Sequence, residues 1–266
     1  MDVVILDDSA AVALQGASIL GDLLRSKPDA VLGLASGSTP QAMYRELVRE
    51  HRENGLSFSD ASTFNLDEYI GLAPDSPQSY RTYMQRELFD HVDIDQANTF
   101  LPDCPPGVDP RDVGPAYEAR IADRGGIDLQ VLGIGRNGHI GFNEPASSLR
   151  SRTRIKTLTR ETIEANRQFF DDPQEQPQLA ITMGIGTIMD AREILLLATG
   201  DSKAEAVRQL VEGPVSALWP ATILQMHEQV TVLLDDAAAS RLSLRDYFKW
   251  VSAQKHRVRA AYGDDE

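Results

Sequence analysis

Residues 127–145, IDLQVLGIGRNGHIGFNEP, decide how this chain is read. The apolar run from Ile127 to Leu132 suits a buried strand. The segment behind it, Gly133 to Pro145, packs four glycines, one histidine and one glutamate together. A strand that runs into such a segment puts it at the strand's carboxyl end, where open α/β sheets bind ligands. Glycines let backbone approach a ligand closely, while His139 and Glu144 supply groups that move or steer a proton. The segment is a candidate catalytic loop on local grounds alone.

Outward from it, apolar runs alternate with helical patterns along the whole chain. Strands are predicted at Val3–Leu6, Val31–Leu34, Ser62–Asn65, Leu179–Met183, Glu193–Ala198 and Gln229–Leu234. Helices are predicted from Asp8 or Ser9 to Leu24, from Pro40 onward, over Ser79–Val92, from Pro110 to about Gly125, and over Ala237–Val251, with the GDDE tail frayed. Strands alternating with helices imply a mainly parallel sheet covered on both faces. Without repeats, low-complexity tracts or a linker, residues 1–266 are expected to form one α/β domain, with the proline-rich patch 102–110 as a surface loop.

Composition narrows the function. A formal net charge of −14, from 26 basic and 40 acidic residues, argues against nucleic acid or an anionic membrane as partner. The longest apolar runs, such as Ile194–Ala198, are too short to cross a bilayer. The first residues carry acids where a secretory signal needs positive charge, so a cytoplasmic protein is expected. Cys104 is the only cysteine, which rules out an internal disulfide and a cysteine-based metal cluster. His51, His91, His227 and His256 have no ligand-like neighbours, so no metal site is expected.

Three further segments carry chemistry. LGLASGSTP, Leu32 to Pro40, ends a strand in a Gly/Ser/Thr turn before a helix. The amides of Gly37, Ser38 and Thr39 at that helix start form an anion cradle. No lysine follows and the dinucleotide glycine spacing is absent, so a simple phosphate monoester is the better guest. TFNLDEYIGL, Thr63 to Leu72, sets Asp67 beside Glu68. On extended backbone these side chains face opposite ways, so only one should enter a site, where it can act as a general base. Lys203, in TGDSKAEAV, stands over the sheet's carboxyl edge, and Arg152, Arg154 and Lys156 would share one face of an alternating strand as a second anion site.

Taken together, LGLASGSTP, TFNLDEYIGL, GIGRNGHIGFNEPASS, SRTRIKTLTR, GDSKA and RDYF closely resemble the glucosamine-6-phosphate deaminase family, in order and spacing, over nearly the whole chain. The resemblance implies a modified doubly wound, Rossmann-like sheet. It also implies conversion of glucosamine 6-phosphate and water to fructose 6-phosphate and ammonia, with no metal or organic cofactor. His139 would assist ring opening, Glu144 would orient it, and Asp67 would move a proton from C2 towards C1. The Gly37–Thr39 turn and Lys203 would hold the phosphate. Two positions depart from the family pattern. Asn137 stands where some members have an aspartate, and in NRQFF Arg167 is displaced by one residue from the expected phosphate contact, which Gln168 occupies. Residues 152–182 would form a lid. Some members are hexamers activated by N-acetylglucosamine 6-phosphate at a subunit interface, and Ser147, Arg154, Lys156 and Tyr247 match that allosteric site, so a homo-oligomer is expected. A galactosamine 6-phosphate deaminase, a 6-phosphogluconolactonase-like hydrolase and a sugar-phosphate sensor remain as alternatives.

Overall fold

The computed structural model describes residues 1–73, 75–167, 170 and 176–262. The first half of the chain forms β1 (Asp2–Leu6), α1 (Ser9–Ser26), β2 (Val31–Leu34), α2 (Ser38–Asn54), β3 (Ser62–Asn65), β4 (Asp67–Tyr69), α3 (Tyr80–Glu87), β5 (Thr99–Phe100), α4 (Pro110–Asp123) and β6 (Leu129–Leu132). The second half forms β7 (Arg154–Thr157), α5 (Arg160–Asn166), β8 (Leu179–Thr182), α6 (Ile185–Met189), β9 (Glu193–Ala198), α7 (Ala204–Glu212), β10 (Val230–Asp235) and α8 (Arg245–Tyr262).

Seven strands make one parallel sheet in the order β1-β10-β9-β6-β2-β3-β5. Its strands are apolar on both faces, as in EILLLA of β9, because helices cover both. On one face α1 and α2 bury Val12, Leu20, Met43 and Leu47 against Leu32, Leu34 and Leu195. On the other, α4 and α7 bury Tyr117, Ile121, Val207 and Leu210 with Phe64, Ile194 and Leu196. This is the parallel, two-sided sheet expected from the alternation and the doubly wound, Rossmann-like α/β fold implied by the resemblance. Among the described residues no helix is long and apolar enough to cross a membrane.

A second, three-stranded antiparallel sheet, β4-β8-β7, stands beside the main one. β8 falls on the strand expected at Leu179–Met183, whereas β4 and β7 escape the periodicity search because they are short and polar, DEY and RIKT. Tyr69, Phe142, Leu158, Phe170 and Ala180 pack under it as a small separate core. β7 and β8 pair at the two ends of the expected lid, whose residues 168–169 and 171–175, Gln168 included, lie outside the described residues. The GDDE tail lies outside them too.

The last helix starts at Arg245 rather than Ala237, and the cause is not local. Glu212, at the end of α7, accepts the backbone N–H groups of Ser243 at 3.1 Å and Leu244 at 2.9 Å. A carboxylate from another helix thereby satisfies the free amides at the start of α8. Asp235 meanwhile accepts the N–H of Ala238 at 2.7 Å and holds the intervening residues in turns. Likewise α3 ends at Glu87, and Phe89–His91 form a separate tight turn instead of continuing to Val92.

Candidate active site at the carboxyl edge of the sheet

In a parallel sheet all strands end on the same edge, and β9, β6, β2 and β3 are consecutive neighbours. The segments leaving those four ends carry Lys203, the 133–145 loop, the Gly37–Thr39 turn and Asp67. Residues far apart in sequence therefore meet because their strands pair.

Within the loop, His139 Nδ1 lies 3.3 Å from Glu144 Oε2, close enough for an ion pair but without a hydrogen bond's alignment. Asn137 Nδ2 donates to the same oxygen at 2.7 Å, and Asn137 Oδ1 accepts the N–H of His139 at 3.3 Å. The other carboxylate oxygen accepts the hydroxyls of Thr159, at 3.3 Å, and Thr162. Burial pushes the Glu144 carboxyl up, but His139, Thr162 and Asn137 outweigh it and hold the group at about 2. Glu144 is thus a fixed anion, suited to steadying an imidazolium. The histidine ring lies against Gly135, where an added Cβ would come within 2.4 Å of it. Only glycine leaves that space.

Asp67 and Glu68 point in opposite directions, as extended backbone requires. Asp67 pairs in register with Thr182 of β8, whose hydroxyl accepts the N–H of Phe142 at 3.0 Å. Asp67 Oδ2 lies 3.4 Å from where a Cβ on Gly141 would stand, which places it against the His139 loop. Burial first, then the charge of Glu68, raises Asp67 to about 8. Glu68 turns the other way and accepts the N–H groups of Tyr80 at 3.1 Å and Arg81 at 3.0 Å, capping α3. Burial raises its carboxyl as well, against the pull of those backbone donors.

At the end of β2, Gly37 takes φ 127° and ψ 172°, a conformation open to glycine, and α2 starts at Ser38. The amides of Ser38 and Thr39, in the first turn, have no carbonyl within the helix to bond. Gly37 N–H instead meets the Tyr83 hydroxyl at 3.3 Å. Thr39 Oγ1 lies 3.3 Å from Thr199 Oγ1, which ties the turn to the end of β9. Lys203 Nζ donates to Ile134 O at 2.7 Å, joining the same edge. Burial lowers the Lys203 ammonium, and neighbouring Arg136 lowers it further. Two cations without a carboxylate partner among the described residues, beside a helix start, suit a phosphate.

The basic cluster divides. Arg152 precedes β7 and pairs with Glu118 at 2.6 Å and Asp190 at 2.5 Å. Arg154 and Lys156 share one face of β7 and close no salt bridge among the described residues, although the charge of Glu144 acts on Lys156. Burial lowers both, and Arg154 lowers Lys156 further. Arg154 Nη1 donates to Asn143 Oδ1 at 2.9 Å, next to Glu144. The buried Ser147 hydroxyl lacks a partner among the described residues. Tyr247 is exposed on α8, a helix packed against β1 at the far edge of the main sheet. Arg167 ends α5, is exposed, and lies 3.6 Å from Glu164.

Sequence reasoning missed Arg136, Thr159, Thr162 and Tyr83. Arg136 was legible as a cation inside the loop itself. Thr162 and Tyr83 are ordinary helix residues by sequence and Thr159 an ordinary helix cap, and only the tertiary fold brings them to the site.

Residues 7–233 match the family model described as glucosamine-6-phosphate isomerases/6-phosphogluconolactonase. The chain is 57% identical to the glucosamine-6-phosphate deaminase of Hahella chejuensis, covering 98% of this chain and 100% of that one. It is 54% identical to the same-named protein of Cellvibrio japonicus, over 97% and 98% of the two chains. Among solved structures, a monomeric glucosamine-6-phosphate deaminase superposes with a TM-score of 0.88 at 46% identity, over 90% of this chain and 99% of that one. The 6-phosphogluconolactonase of Trypanosoma brucei, at 20% identity and a TM-score of 0.71 over 91% and 98%, shares the fold.

Proposed function

This chain belongs to the glucosamine-6-phosphate isomerase/6-phosphogluconolactonase family, and from that we infer that it is an enzyme converting glucosamine 6-phosphate and water to fructose 6-phosphate and ammonia. The observation that carries the reading is the meeting of Asp67 with the His139–Glu144 pair beside an anion-binding turn. A buried carboxyl raised to about 8 is basic enough to take a proton from carbon near neutral pH. His139, with Glu144 as its fixed counter-charge, exchanges a proton with the ring oxygen and opens the sugar. Asp67 then removes the proton from C2 and returns it to C1. The aldose thereby becomes a ketose derivative, and water displaces the 2-amino group as ammonia. Ser38, Thr39, Lys203 and Arg136 supply the positive potential that holds the phosphate. Asn137 is a neutral amide here and acts by fixing Glu144. A charged sugar phosphate does not cross membranes unaided, which supports the cytoplasm as the place of the reaction.

The test is ammonia release from glucosamine 6-phosphate by the purified protein, with chelator present and no cofactor added. Galactosamine 6-phosphate and 6-phosphogluconolactone run in parallel. Faster turnover of either would move the chain to that sister activity, and binding without turnover would make it a sensor.

A second anion site is part of the same reading. Arg154, Lys156 and the Ser147 hydroxyl, which has no partner among the described residues, would take N-acetylglucosamine 6-phosphate as an activator, and Arg154 touches Asn143 of the catalytic loop. Tyr247 would join them only across a subunit interface of a homo-oligomer such as a hexamer. Light scattering together with rate curves, with and without the acetylated sugar phosphate, tests this. A monomer with a hyperbolic, unresponsive curve would overturn it.

A further inference from the structure

The hydroxyl of Tyr83 grips the anion turn from two sides. It donates to the carbonyl of Gly37 at 2.8 Å and accepts the N–H of Gly37 at 3.3 Å. The ring is half-buried on α3, packed against the core under α1 and α2, with the Arg86 guanidinium 5.8 Å from its centre. Burial pushes the phenol up to about 12, so it keeps its proton and remains a donor at any working pH. The residue it grips is the one least able to hold itself: a glycine at φ 127°, whose backbone has the widest choice of conformations. Gln41 N–H bonds the same carbonyl at 3.1 Å, and Thr199 meets Thr39 at 3.3 Å, but neither engages the Gly37 amide. One turn back along α3, the first two amides are held by Glu68, the neighbour of Asp67. The first half of a single eight-residue helix therefore touches both the anion turn and the strand of the general base.

We propose that Tyr83 is a positioning residue for phosphate binding: its hydroxyl sets the Gly37 peptide so that the Ser38 and Thr39 amides face the phosphate, and α3 locks that turn to the strand carrying Asp67. The proposal rests on the reading of the turn as the phosphate site in the previous subsection. It assigns Gly37 a shaping role, with its amide used internally, and leaves the contacts to Ser38, Thr39 and Lys203.

Tyr83→Phe removes the hydroxyl and keeps the ring. Binding of inorganic phosphate is measured by calorimetry, alongside KM, kcat and the melting temperature. The phosphate Kd and the KM for glucosamine 6-phosphate should rise together by about 3- to 10-fold, the value of one hydrogen bond, with kcat within about 2-fold of the unmodified protein. An unchanged Kd would overturn the proposal, and so would losses of kcat and melting temperature that leave Kd intact. A variant that fails to fold would assign the hydroxyl to the fold and overturn it too. Because phosphate binding is read without turnover, the two readings separate. An unmodified protein that binds phosphate, loses affinity on Tyr83→Phe and releases no ammonia defeats the proposed reaction but sustains this role. One that binds no phosphate defeats this role.

Discussion

Glu144 and Asp67 are carboxylates of the same cleft, 4% and 6% exposed, and burial alone would treat them alike. Their surroundings separate them. Glu144 receives Asn137, Thr159 and Thr162 as donors and faces the imidazole of His139, and it is held at about 2. Asp67 receives no donor among the described residues, stands beside Glu68, and rises to about 8. One region makes a permanent anion and the other a carboxyl that binds and releases a proton near neutrality. Two neighbouring carboxyls pushed apart in this way divide the acid–base work between them.

The largest expected effect comes from Asp67→Asn, which should lower kcat by about 10²- to 10⁴-fold, the range of a positioned general base, while leaving phosphate binding intact. Stability should move the other way. A raised carboxyl holds its proton more tightly folded than unfolded, so its contribution to stability falls as pH rises from the usual carboxylate range to about 8. The neutral amide escapes that cost and should melt higher at pH 8. A lower melting temperature with a mild kinetic loss would break the comparison. Next comes the pH profile of the unmodified enzyme: kcat/KM should climb roughly tenfold per unit as Asp67 ionises, then level above about 8. A profile flat across that range would place the base elsewhere.

Glu144→Gln removes the fixed anion and should cost about 10- to 100-fold in kcat, the value of a charged hydrogen bond. The deficit should be larger for the ring form of the substrate than for an open-chain analogue, and equal deficits would detach Glu144 from ring opening. The smallest effect belongs to Thr162→Val, with a loss of ~1 kcal/mol at neutral pH. Glu144 is depressed, so its stabilisation is present above the ordinary carboxylate value and lost as pH falls towards about 2. Without Thr162 the acid-unfolding midpoint, followed by circular dichroism, should shift to higher pH.

What was legible in the sequence was whatever local pattern controls. Six strands of the main sheet, the glycine-rich loop after β6 and the opposed directions of Asp67 and Glu68 follow from spacing alone, while the two-residue β5 is too short to carry a pattern. What was not legible depends on partners far away in sequence. Arg152 shares the spacing of Arg154 and Lys156, yet Glu118 on α4 claims it and leaves the other two unpaired. Glu212 decides where α8 begins, 33 residues before Arg245 by number. The sequence offers the Gly37 amide to a ligand because it gives no sign of Tyr83 above it. The alternating spacing of Arg152, Arg154 and Lys156 names no partner strand, and the pairing of Arg154–Thr157 with β8 fixes which side chains stand together.

The row β9-β6-β2-β3 also sets a distance. Neighbouring strands in a sheet lie about 4.8 Å apart, so the ends that carry Lys203 and Asp67 are separated by three such steps, about 14 Å. The sheet is a ruler, and its graduations are backbone hydrogen bonds. Side-chain substitutions in the cleft alter which hydroxyls a sugar can present, but the reach from its phosphate to its reacting carbon is written in the main chain and changes only if a strand is re-paired.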